Sequence, residues 1–177
     1  MGQIGSDDFN RTENPLSTGW VQFGAVAQCT AAGLTVGPAS SATWCMSVWN
    51  TPTPAADGQY SQIGYFASSA EYAAVLVRCN TATPTGYFGF VNPGASYAQV
   101  FRVPAFAQIG TNITGSLSGA GTIRLTASGS NLVVAKDGVD KGTRMDANYT
   151  TGKVGVSAYD SNGTVGTGDN WVGGEPD

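Results

Sequence analysis

The sequence has no histidine and few charged residues. Without an imidazole it lacks the one side chain that ordinarily titrates between pH 5 and 8, and also the commonest zinc ligand. A His-dependent triad is excluded. Charged residues make up 11% of the 177 residues, against roughly 25% in an ordinary globular domain. Surface contacts therefore fall to hydroxyls, amides and backbone. The eight Lys and Arg are scattered from Arg11 to Lys153, and the net charge is −4. Neutralising phosphates needs a clustered basic surface, so no nucleic-acid partner is expected. No apolar run reaches membrane-spanning length, and the first eight residues carry neither region of a secretory signal. No membrane contact is expected either.

Acidic pairs are also missing. The three Glu (Glu13, Glu71 and Glu175) are far apart, each beside a turn signal or a strand end. Retaining glycoside hydrolysis needs two carboxyls roughly 5 Å apart, and no strand carries two in phase. The chain reads as a non-enzyme. Cys29, Cys45 and Cys79 cannot all pair within one chain, and none stands at the C-x-x-C spacing of zinc or redox sites. The expectation is buried thiols acting as small apolar residues, with one disulfide and a leftover cysteine as the alternative.

What the chain does have is two-residue alternation almost everywhere. Strands are expected over 20–27, 33–37, 42–50, 59–67, 72–80, 86–92, 97–103, 122–129, 131–138 and 153–160. Gly-, Pro- and Asn-rich turns separate them, among them the Pro-rich loop 51–58 and the run 161–170. Ile123, Leu125 and Ala127 fall on one face, as do Val154, Val156 and Ala158. Residues 72–78 are apolar on both faces, which suits a central strand covered on both sides. Asp137-Gly138 suits a type I′ hairpin turn. Trp44 and Trp49 lie on opposite faces of one strand, so one of them should point outward. Ten short strands separated by such turns predict an all-β sandwich in a single domain over 7–177, and residues 1–6 are read as an N-terminal arm for a neighbouring subunit.

The opening "DDFNR…W", the run "TIRLTASGSNLVVAKDGVDKGTRMDANYTTGKVGVSAYD" and the closing "DNWVGGEP" resemble the concanavalin A-like lectin/glucanase superfamily, in its laminin-G-like branch. The resemblance implies a jelly roll of two antiparallel sheets whose first and last strands lie side by side. Phe9, Trp20 and Trp171 would then anchor the closure, with the tail "GGEPD" beyond the ladder. Asp8 and Asp169 are expected to cap turns. Ca²⁺, which some relatives bind, is the weaker reading, and no other cofactor is implied. If a sugar binds, Trp49, Tyr60, Tyr65, Tyr87 and Tyr97 are the candidate platform residues.

The function this suggests is a structural protein of a bacteriophage virion: a capsid decoration protein or a head or tail fibre component. It would be assembled in the host cytoplasm, displayed on the virion surface, and homo-oligomeric, as a trimer on the major capsid protein. Surface glycans are a further possible partner. The alternative is a polysaccharide-binding module of a secreted protein.

Overall fold

The computed structural model describes every residue except 1, 18, 27, 34, 40–42, 51–56, 67–70, 161–167 and 177. Most of the Pro-rich loop and of the 161–170 turn therefore lies outside the described residues. Among them every regular element is a strand. In chain order these are β1 (Gly2–Asp7), β2 (Arg11–Glu13), β3 (Trp20–Gln22), β4 (Thr30–Gly33), β5 (Thr35–Gly37), β6 (Thr43–Trp49), β7 (Gln59–Tyr65), β8 (Glu71–Asn80) and β9 (Thr85–Asn92). They continue as β10 (Tyr97–Val103), β11 (Ala107–Gln108), β12 (Ile113–Thr114), β13 (Gly121–Ser128), β14 (Asn131–Lys136), β15 (Val139–Met145), β16 (Lys153–Asp160) and β17 (Gly168–Glu175).

Two antiparallel sheets form. The first runs β15-β14-β13-β7-β17-β5-β4-β2, with β1 added against β17, and the second runs β11-β10-β9-β8-β16-β6-β3, with β12 added against β10. Period-two patterning decides what lies between them. Ile123, Leu125 and Ala127 of β13 and Val154, Val156 and Ala158 of β16 all point into one buried layer between the sheets. Central strand β8 sends Ala73, Val75 and Val77 into that layer and Ala74 and Leu76 to its other side. Trp171 ties the sheets together by polar contact. Its indole N–H donates to Ser61 Oγ at 2.8 Å, and that hydroxyl donates to the Gly155 carbonyl at 2.7 Å. The turn between β14 and β15 carries Asp137 at φ 52° and Gly138 at φ 77°, as a type I′ hairpin requires.

Three features differ from the sequence expectation. Gly2–Asp7 is a strand of this chain's own sheet, with Gly2 opposite Glu175 and Asp7 opposite Trp171. Through this ladder the segment is tied into its own sheet along one edge. For the same reason Gly173, Gly174 and Glu175 lie inside the terminal ladder. Strand β15 was missed because it sits at the sheet edge and its side chains are half-buried or exposed, so it has no apolar alternation to read.

Cys29 and Cys45 form a disulfide with Cα atoms 4.8 Å apart, a separation within the usual range. This corrects the expectation of three thiols. Cys45 faces the core from β6, and the chain entering β4 brings Cys29 to it. Cys79 is a free, buried thiol whose pKa burial pushes well above the ordinary value.

Candidate functional site

The opening motif becomes a hydrogen-bond centre on Asp7. Its carboxylate accepts both guanidinium nitrogens of Arg11 at 2.6 and 2.8 Å, the Trp20 indole N–H at 2.6 Å and the Phe9 amide at 2.8 Å. Arg11 in turn donates to Glu13 at 2.7 Å. Burial opposes ionisation of Asp7, but the bonds from Arg11, Trp20 and Phe9 outweigh it and hold its pKa below the usual carboxylate value. Phe9 (φ 50°) is fully buried, as is Trp171, and Trp20 is nearly so. Trp20 meets Trp171 at 4.7 Å and Trp49 at 5.2 Å between ring centroids.

Trp49 is part of this closure and is only partly exposed. Its indole lies against Gly5 and Gly19, where an added Cβ would stand 2.6 Å from the ring in each case. Asp8 accepts the Asn10 amide at 3.0 Å, and Asp169 accepts the Asn170 amide at 2.7 Å. Burial, reinforced by the charge of Asp8, raises the Asp169 pKa. Among the described residues no three His, Cys, Asp or Glu are gathered to hold a metal ion.

The tyrosine candidates divide. Tyr60, Tyr65 and Tyr87 are buried, so none presents a ring to a ligand. The Tyr65 hydroxyl donates to the Leu117 carbonyl at 3.4 Å, and burial raises its pKa. The Tyr87 hydroxyl donates to Asp146 at 2.7 Å and accepts the Tyr149 amide at 3.0 Å. Burial and the bond to Asp146 push the Tyr87 pKa up to about 12. Tyr97 alone reaches the outer face of the second sheet, half-buried and edge-on to Phe90 at 6.2 Å.

That outer face is where sequence reasoning fell short. Trp44 on β6, Tyr72 on β8, Phe88 and Phe90 on β9, Phe101 on β10 and Tyr159 on β16 share it in neighbouring strands. Tyr72 and Tyr159 stack at 5.5 Å and 17°, and Phe90 and Phe101 at 6.0 Å and 14°. Trp44 joins the two pairs, 5.2 Å from Tyr159 and 5.6 Å from Phe90. Phe88 and Phe90 are buried beneath, while Trp44, Tyr72, Phe101 and Tyr159 are half-buried. A recess of about 360 Å³ opens among Trp44, Phe88, Phe90, Gln99, Phe101 and Phe106. At its rim Gln99 donates to Gln108 at 3.1 Å and to Asn112 at 2.7 Å. Aromatic faces bordered by fixed amides can take an apolar, hydroxylated ring by stacking and hydrogen bonding together. The available signal was the outward parity of Trp44, Phe88 and Phe90. Strand register was needed to show that they meet.

No family model and no curated protein matches the chain, but solved structures do. A protein of unknown function with a galectin-like fold from Bacillus subtilis aligns over 99% of this chain and 96% of its own, at 9% identity and TM-score 0.65. Carbohydrate binding module CBM66 from Bacillus subtilis aligns over 89% and 92%, at 13% identity and TM-score 0.60. Bacillus licheniformis beta-glucanase aligns over the whole of both chains, at 11% identity and TM-score 0.60. The fold is the concanavalin A-like jelly roll. At such identities the likeness shows the fold alone, and the neighbours include a binding module and a glucanase. Of this chain's glutamates, Glu13 lies on β2, Glu71 opens β8 opposite Asp160, and Glu175 ends β17.

Proposed function

We propose that the protein is a non-catalytic, polysaccharide-binding jelly roll that holds a neutral glycan on the outer face of its second sheet. The observation that carries this is the ring layer from Tyr72 to Phe101, bordered by the Gln99 amide, with no charged side chain among the described residues that line its recess. The fold shared with a carbohydrate binding module supports the reading. The test is affinity electrophoresis through gels containing neutral plant and microbial polysaccharides. Trp44→Ala and Phe101→Ala should each weaken binding by about 2 kcal/mol, or roughly thirtyfold. A panel without any binder at millimolar sugar overturns the proposal.

A second reading sets the same face against another protein subunit, as the virion role would need. The neighbouring, partly exposed rings of Trp44, Tyr72 and Phe101 favour it, because contiguous apolar surface marks association sites. A trimer in light scattering that Phe101→Asp dissociates, together with no glycan binding, would select this reading. The Cys29–Cys45 disulfide supports a place of work outside a reducing cytoplasm. Peptide mapping without reductant checks that bond directly.

A further inference from the structure

The aromatic layer continues past the recess beside Trp44. Beyond Phe106 a second recess of about 400 Å³ opens, walled by Phe23, Val26, Met46, Val103, Pro104 and Phe106. Among the described residues, the nine that line it are all apolar or glycine, and none of them brings a hydroxyl, amide or charged side chain. A glycan hydroxyl pressed into it would surrender hydrogen bonds to water without replacement. A methyl or short acyl group would surrender few, and burying its carbon is favourable.

Phe106 lines both recesses and meets Phe88 edge-on at 6.2 Å. It is 40% exposed and sits at φ 49°, a conformation that bulky residues rarely adopt. Strain of this kind persists where the surroundings hold it, and it gathers at ligand sites. The opposite wall is closely built as well. Gly24 has φ 66°, and a Cβ there would lie 3.0 Å from Pro84.

We propose that this second recess receives an apolar substituent carried by the glycan, so that the ligand is a neutral polysaccharide bearing O-acyl or O-methyl groups. This rests on the platform reading above: the sugar lies over Trp44 and Phe101, and its substituent passes Phe106 into the recess.

The test compares O-acetylated glucomannan with the same polymer after mild alkaline deacetylation, both by affinity electrophoresis. The intact protein should bind the acetylated form about tenfold more tightly or better, the scale on which an apolar pocket registers one small group. Ala25→Trp places a ring into the recess from its exposed rim and should bring that ratio near one. Phe106→Ala, on an exposed turn, should do the same should the first variant fail to fold. Trp44→Ala should weaken binding to both polymers. Equal binding of both forms by the intact protein, with Trp44→Ala still weakening each, overturns this inference and leaves the platform standing. An acetyl preference that survives both recess variants overturns it too. Binding of neither polymer, nor of any other polysaccharide in the neutral panel, overturns the platform reading and this one together.

Discussion

At the scale of single residues, Asp7 shows how one acid organises the start of the chain. Asp7, Asp8 and Asp169 look alike in sequence, yet four donors converge on Asp7 while Asp8 and Asp169 accept neighbouring amides. Asp7→Asn loses the charge that pairs with Arg11 and should cost about 3 kcal/mol, read as a lower midpoint in urea. The pH dependence follows from the depressed pKa of Asp7. As pH falls, the unfolded chain takes up a proton first, near the ordinary value of about 3.9, and folding loses ground. The stability is fully present above that pH and drains away as pH falls through the lower folded value. Asp146, whose hydrogen bonds from Tyr87 and Asn148 overcome burial to lower its pKa, acts in the same direction. Thermal melts should therefore fall below about pH 4 in the intact protein and less steeply in Asp7→Asn. An unchanged slope would remove Asp7 from this role.

At the scale of elements, the terminal ladder decides what can be cut. β17 lies between β1 and β7, and Gly173 and Gly174 pair on both sides. A Cβ at Gly174 would fall 2.2 Å from the Gly2 carbonyl oxygen, so the strands meet at a separation only glycine allows there. Deleting residues 173–177 should lower the melting temperature by several degrees, and deleting residues 1–6 should do so comparably, since each removes a face of one ladder. About 1 kcal/mol corresponds to only a few degrees in a domain of this size, so calorimetry resolves the effect. A chain ending at Val172 that melts like the intact protein would contradict it. The strands read correctly from sequence are those with a buried face, such as β13 and β16. Those missed include β2, β4, β11, β12 and β15, which are short or polar and exist because a neighbour supplies their hydrogen bonds.

At the scale of the whole molecule, strand β6 separates two aromatic territories. Trp20, Trp49 and Trp171 cluster on its inner side at the closed termini, and Trp44 stands on the outer side among Tyr72, Tyr159 and Phe88. Glycan bound on the outer face should perturb the fluorescence of Trp44 alone. Trp44→Phe should abolish the ligand-induced change, while Trp49→Phe should keep it. A ligand signal that persists in Trp44→Phe would move the site elsewhere.

Alternation, turn residues and low charge were enough by themselves to determine an all-β sandwich, the inward faces of β13 and β16, the covered central strand β8 and the hairpin at Asp137-Gly138. These are local properties, since a period of two sends side chains to fixed faces whatever the neighbours are. The rest is pairwise in space. Only the tertiary structure decided that Tyr60, Tyr65 and Tyr87 are buried, that Cys29 meets Cys45, that Gly2–Asp7 closes the sheet, and that outward rings from five strands form one surface. Each of these depends on register between segments far apart in sequence, and register is settled by the packing of the finished sheets.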